Sequence, residues 1–474
     1  MPARTCADTA ALRAQQTAAT APRAQLRGRM TMVGRCNGGN LLLWAALFGL
    51  APAPAFAVSL RTASERPAMP AAAGNGPAWG RPYGGGQLSH DGRWLVYASA
   101  ADNLVDDDHN ALPDIYLRDL ERQRVIRVNV GRGGAEADGD SESPSVSADG
   151  RRVAFQSFAR NLVEGDSNQR SDVFVADLAA GWLRRVSLGS AGLQGNGHSA
   201  LARISADGRR VVYTSAADNL VAGDANQHND VFVHDLAGGD TVLVSRAADG
   251  TAANGRSEVA ALSGDGRFVA FASHAANLLP DDDNGAADVY LRDLLDGRLE
   301  RISVTPEGTL PGNRESGQPA LSDDGRFVAF TSAASDLVPG DSNGCEDVFV
   351  RDRWLRLTWR VSVGRAGAQA QAASSQPVLS ANGMVVAFVS SATLDAGGAA
   401  GDTVQVWRHA WKAGWTSLAS VDRRGRPGEQ HSLAPALSGD GRWLSFHSRS
   451  GGWSLDHGQV SGHGDVFVAG DWTW

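Results

Sequence analysis

The chain has 474 residues and a formal net charge of −8. An acidic balance lacks the basic patches that nucleic acid and anionic membrane surfaces require, so both are excluded as partners. Three cysteines in a chain of this length exclude a small disulfide-built scaffold, and the core has to come from packing.

The first segment reads as targeting rather than structure. Residues 1–35 carry six arginines and one acid, Asp8. An eleven-residue apolar stretch follows at 41–51, and then an A-x-A cleavage signature, Ala55-Phe56-Ala57. The stretch is shorter than the roughly 20 residues a membrane helix needs. Residues 1–57 are therefore expected to be a long signal peptide that is removed. The mature chain then has 474 − 57 = 417 residues and a charge of (44 − 6) − (52 − 1) = −13. It has no membrane span, is expected to be a monomer, and is periplasmic or secreted. Cys6 and Cys36 leave with the leader, so Cys345 would be the last cysteine. It sits beside Glu346, a neighbour that disfavours a thiolate, and reads as incidental.

From Leu88 onward one unit recurs. LSHDGRWLVYAS begins at Leu88, VSADGRRVAFQS at Val146, ISADGRRVVYTS at Ile204 and LSGDGRFVAFAS at Leu262. LSDDGRFVAFTS begins at Leu321, LSANGMVVAFVS at Leu379 and LSGDGRWLSFHS at Leu437. The turn residues Asp91, Asp149, Asp207, Asp265, Asp324, Asn382 and Asp440 are spaced by 58 or 59. A fixed period of this size signals a repeat architecture. Each unit predicts four short strands. An apolar run ends at the Asp-Gly turn, and an alternating strand such as Arg152-Val153-Ala154-Phe155 follows. After a polar loop come a third strand, as at Asp172, and a fourth, as at Arg185-Val186-Ser187-Leu188. The prediction is all-β: a seven-bladed β-propeller of four-stranded antiparallel blades filling residues 58–474. The last unit shows no R-V-S strand, whereas Val58-Ser59-Leu60 has that pattern. The N-terminal strand is therefore expected to complete the seventh blade; the alternative is that the terminal DWTW does so.

The units resemble the WD40-like repeats of the TolB type, with S-x-D-G-x-x-[VIL]-A-[FY]-x-S followed by [DQ]-[IV]-[YF]-V-x-D. The match runs from Leu88 to the C-terminus. The resemblance implies a propeller whose function is mostly binding. TolB also carries a separate N-terminal α/β domain, which has no counterpart here. Prolyl-oligopeptidase-like proteases carry such repeats ahead of a hydrolase domain, and none follows here.

Strand parity places the S-x-D-G turns on one face and the longer second-to-third loops and blade crossovers on the other. Crossovers vary between blades, and variation on a fixed scaffold is where specificity sits. The candidate ligand-binding residues are Glu142, His198, Arg256, Glu258, Arg314, Glu315, Gln376 and His431, set just ahead of the inner strands. The second-to-third loops carry Asp-x-Asn-x-x-x-Asp in five units. The residues are Asp108, Asn110 and Asp114; Asp166, Asn168 and Asp172; Asp224, Asn226 and Asp230; Asp282, Asn284 and Asp288; and Asp341, Asn343 and Asp347. Units six and seven lack the pattern, with Asp402 and Asp465 alone at its final position. Calcium takes 6–8 oxygens, and these loops could approach that, so Ca2+ is the one cofactor the pattern admits. Asx-turn chemistry explains the same residues without a metal, and the pattern lacks the closing Glu of an EF-hand. The eleven histidines have no metal-ligand spacing. Nine of thirteen tryptophans lie from Trp354 onward, suited to stacking on sugar rings or to packing between divergent blades.

These features predict a binding or scaffold propeller of the cell envelope, taking a peptide, protein or glycan at the loop face of the channel. No catalytic residues are marked. The alternatives are a glycan lyase or hydrolase using channel carboxylates, and a calcium-stabilised structural propeller.

Overall fold

Every S-x-D-G turn closes on its own side chains. At the second unit Ser147 Oγ donates to Asp149 Oδ1 (2.6 Å), and the Arg152 N–H returns to Ser147 Oγ (3.0 Å). The Gly150 N–H donates to Ser147 O (3.0 Å) with φ at 71°, the left-handed region that favours glycine. A Cβ there would also meet the Trp94 ring at 2.2 Å, so the neighbouring blade requires glycine too. These turns join the inner two strands of seven antiparallel sheets in a computed structural model that describes residues 59–62, 78–79, 86–396, 399–422, 425–450 and 464–470. The expected signal peptide lies outside the described residues. No helix among those described is long and apolar enough to cross a membrane.

Blade 2 shows the common plan: Ser141–Val146, Arg152–Ser157, Asp172–Asp177 and Trp182–Arg185 run from the channel outward. Its two central strands pair Phe155 with Phe174, their rings stacked 5.8 Å apart. The same pair recurs as Tyr97–Tyr116, Tyr213–Phe232, Phe271–Tyr290, Phe330–Phe349 and Phe446–Phe467. Each sheet is apolar on both faces because each packs between two others. Val96 and Ile115 of blade 1, for example, share a core with Phe155 and Phe174 of blade 2. Removing such a ring would cost roughly 3–5 kcal/mol.

The turns also build the lip of the plain face. His90 N donates to Ala148 O, Ala148 N to Ala206 O, Asp207 N to Gly264 O and Gly264 N to Asp323 O. Asp323 N donates to Ala381 O, Ala381 N to Gly439 O, and Gly439 N returns to His90 O at 3.0 Å. These backbone bonds run once round the ring, so blade 7 meets blade 1 at the inner end. Val466 and Val468 pack with Leu88 and Leu95 across the same junction. Further out, Ser59–Thr62 pairs antiparallel with blade 7, from Ser59↔Gly470 to Thr62↔Phe467.

Two blades depart from the plan. In blade 1 the described inner-strand residues are Ala78–Trp79 and Gln87–Leu88, both paired with Trp94–Ser99. In blade 6 the second-to-third loop is a β-hairpin, because Val385–Thr393 and Ala399–Ala410 stay paired out to Thr393↔Ala399. Its register puts Gln405 opposite Ser390, the place Asp172 holds opposite Ser157 in blade 2. The final position of the acidic pattern in unit six is thus Gln405, not Asp402.

Candidate functional site

The loop face is built from the second-to-third loops and the crossovers, as strand parity requires. In blade 2 they are tied together: Asn168 Nδ2 donates to Gly195 O of the crossover (2.9 Å) and to Asp172 Oδ2 (3.0 Å). The Arg170 N–H closes an Asx-turn on Asn168 Oδ1 (2.9 Å). Ser187 Oγ donates to Asp172 Oδ1 (2.5 Å). Among the pattern carboxylates sits a guanidinium from the outer strand, with Arg185 Nη1 lying 3.4 Å from Asp166 and 3.5 Å from Asp172. Arg127, Arg301 and Arg360 do the same for Asp108 and Asp114, for Asp282 and Asp288, and for Asp341 and Asp347. Asn110 takes its place in loop one by donating to Ala137 O (3.0 Å). Asn284 and Asn343 bond their own Asp288 and Asp347.

The third loop is different. Asn226 bonds Asp230 (2.6 Å), but the outer-strand residue opposite Phe232 is Leu243 where the other four loops have arginine. Burial pushes the Asp224 carboxyl up to about 6, aided by the charge of Asp230. Burial also raises Asp230, against hydrogen bonds from Ser245 and Asn226.

Carboxylates on the two faces are tuned in opposite directions. Burial lifts Asp114, Asp288 and Asp347 to about 6, even beside their arginines. On the plain face the hydrogen bonds of Arg93 and Arg267 hold Asp119 and Asp293 below the usual range. For Asp177 burial opposes ionisation, yet Arg151 and a backbone N–H keep it well below. The raised groups are more basic in the fold, so their stabilisation is present below about pH 4 and is lost as pH rises through 6. The lowered groups contribute above about pH 4 and lose that contribution as pH falls through their folded values. The melting temperature is expected to be highest near about pH 4, to fall as pH rises from there to about 6, and to fall on the acid side as well in a thermal-melt series.

Of the sequence candidates, three meet at one place. Glu258 and Glu315 line a cleft of about 210 Å3 between blades 4 and 5, with Gln318, His274 and Glu346. Arg256 stands at its edge, 3.0 Å from His274 Nε2 and 3.7 Å from Glu258 Oε1. Burial raises the Glu346 carboxyl, and the charge of Glu315 raises it further. Glu346 and His274 were missed by the sequence reading. Glu346 falls between two pattern residues, and His274 follows a strand outside the crossovers.

The remaining candidates lie elsewhere. Arg314 is exposed beside Glu315. Glu142 is the second residue of its inner strand, paired with Gln156. His198 and His431 accept backbone N–H bonds from Ser171 and Val404 (both 3.0 Å), which fastens a crossover to the adjacent loop. Gln376 is a structural strut. Its N–H donates to Gln318 Oε1 (2.8 Å) and its Oε1 accepts from Ala434 N (2.9 Å), linking three inner strands along a channel cavity of about 280 Å3. Among the described residues no group of three or more His, Cys, Asp or Glu side chains is placed to hold a metal ion.

Gly340-Asp341-Ser342-Asn343-Gly344 has the letters of a G-x-S-x-G nucleophile motif, but no helix follows it, and the Ser342 N–H and hydroxyl face Gln369. Cys345 is buried and is disulfide-bonded rather than a free thiol, which departs from the expected lone thiol.

No protein-family model matches the chain, and no curated protein matches it in sequence. Solved structures match in fold. An oligogalacturonate lyase in complex with manganese is 14% identical with a TM-score of 0.50, over 88% of this chain and 96% of that one. The β-propeller domain of the trilobed protease from Pyrococcus furiosus is 11% identical with a TM-score of 0.49, over 83% and 93%. TolB from Acinetobacter baumannii is 14% identical with a TM-score of 0.39, over 81% and 79%. At these identities the likeness is one of fold alone. The structure carries the seven-bladed propeller that the 58-residue repeat predicts.

Proposed function

We propose that the chain is an exported propeller of the cell envelope, periplasmic or secreted, that binds a protein or peptide through a basic group at the loop face. One observation carries this reading: Glu258, Glu315 and Glu346 converge on a single cleft beside the channel. Three carboxylates facing one space attract a Lys or Arg side chain, and in a partly desolvated cleft that attraction is stronger than in water. His274 and Arg256 then set the edge of the site and restrict which cations fit. Affinity capture from envelope extract tests the proposal. The wild-type protein should retain a partner that is released by salt. Glu315→Gln with Glu346→Gln should weaken capture by about tenfold or more, in line with losing a charge-assisted hydrogen bond. An unchanged partner profile in that double variant overturns the reading.

The glycan-cleavage alternative is favoured by the pairing of Glu346 with Glu315 in one cleft, since glycoside hydrolysis uses two carboxyl groups, and burial together with the Glu315 charge raises the Glu346 carboxyl. Glu346→Gln should then abolish turnover of a glycan while leaving its binding intact.

A further inference from the structure

Blade 6 differs from blades 1 and 4 at its outer-strand arginine and in its second-to-third loop, and the change opens a pocket. In blades 1 and 4 the third-strand aromatic is a tyrosine whose hydroxyl donates to the loop carboxylate, Tyr116 to Asp108 and Tyr290 to Asp282. An outer-strand arginine neutralises that carboxylate. In blade 6 the aromatic donor persists as Trp407, opposite Leu418. The arginine is gone, and the loop that would bring the carboxylate has become a hairpin. The vacated space is a pocket of about 610 Å3 at the loop-face edge of the blade. This falls within the size range of small-ligand sites.

The lining has an unmet demand. Trp407 is 3% exposed, and its Nε1–H has no hydrogen-bond partner among the described residues. The buried Ser417 hydroxyl on the outer strand also lacks one among those residues. Buried donors are normally satisfied, so an orphan in the wall of a pocket asks for an oxygen from outside the chain. Trp415 adds a second aromatic surface to the pocket. Asp395, Asp402 and Glu429 stand exposed around it and offer acceptors for O–H groups.

We infer that this blade-6 pocket binds a small neutral saccharide. A sugar ring has apolar C–H faces for the tryptophans, oxygens for the Trp407 N–H, and hydroxyl donors for the carboxylates. The acidic surround repels sugar acids. The site is separate from the blade 4–5 cleft and stands or falls independently of it.

The test is calorimetric titration of the full chain with maltose, cellobiose and N,N′-diacetylchitobiose, with tryptophan fluorescence recorded in parallel. At least one sugar should bind and perturb the emission. Trp407→Phe keeps a ring and removes the N–H; it should bind about tenfold more weakly, as for one lost hydrogen bond, and melt no lower than wild type. Trp415→Ala should abolish binding, which covers the case of Trp407→Phe failing to fold. Glu346→Gln should bind as wild type. The inference is overturned if none of the three sugars binds up to about 10 mM. It is also overturned if binding is indifferent to both tryptophan variants, or if trilysine rather than a sugar binds in a Trp415-dependent way.

Discussion

Arg360→Leu is expected to destabilise the fold by about 3–5 kcal/mol at neutral pH, the range for removing one partner of a buried ion pair. The Arg360 guanidinium lies 2.9 Å from Asp341 and 3.8 Å from Asp347, and Asp347 is fully buried. Without it two carboxylates face each other in a desolvated loop. Blade 3 already has that arrangement, with Leu243 opposite Phe232 and Asp224 pushed up to about 6. The sign of the pH dependence follows. A carboxyl raised in the fold is favoured when protonated, so the penalty should shrink as pH falls from 7.5 towards 5. Urea midpoints at the two pH values measure it. Adding Asp341→Asn to Arg360→Leu should restore most of the loss, which separates charge from packing. Leu243→Arg should give the reverse effect in the third loop, raising stability by on the order of 1 kcal/mol.

The same comparison bears on calcium. In four loops the guanidinium occupies the place a cation would take, which supports turn chemistry there. The third loop has two buried carboxylates, Asn226 and no arginine, so any Ca2+ effect on melting belongs to it and should vanish in Leu243→Arg. A chelator-sensitive melt that survives Leu243→Arg would assign the ion elsewhere.

Much of this architecture is legible in the sequence because the repeat is written in turn chemistry. Ser147, Asp149 and Gly150 each satisfy a specific backbone requirement, and the requirement recurs seven times. The candidate cleft was half legible. Glu258, Glu315 and Arg256 stand out as variable crossover residues, but Glu346 and His274 join them only through the approach of blade 4 to blade 5, which no spacing records. Gln376 misled for the opposite reason: a polar residue at the channel looks like a ligand contact, yet its side-chain oxygen is taken by the Ala434 N–H and its backbone N–H by Gln318. The arginines were invisible as partners of the acidic loops. They lie 13 to 19 residues downstream on another strand, as Arg185 does from Asp172 and Asp166. Blade 6 hid its pocket behind Asp402, which mimics the end of the pattern until strand register shows Gln405 in that place.

A chain starting at residue 63 is expected to be about 2–4 kcal/mol less stable than one starting at residue 58, at roughly 1 kcal/mol per ladder hydrogen bond of the four-residue strand 59–62. We propose that this strand closes the ring by serving as the outer strand of blade 7, on its pairing with Phe467–Gly470. The inner end has its own closure through the Gly439–His90 bond and the Ser445 Oγ bond to Gly86 O (2.7 Å), so the truncated protein should still fold. What it loses is cover for one edge. Phe467 to Gly470 would then present unpaired N–H and C=O groups, a template for association between copies. Hydrogen exchange should show faster exchange confined to 465–470, with blades 2 to 5 unchanged, and light scattering should show concentration-dependent aggregation on heating. A chain starting at residue 63 that melts with one starting at 58, and exchanges identically, would mean the outer edge of blade 7 is covered by something other than this strand.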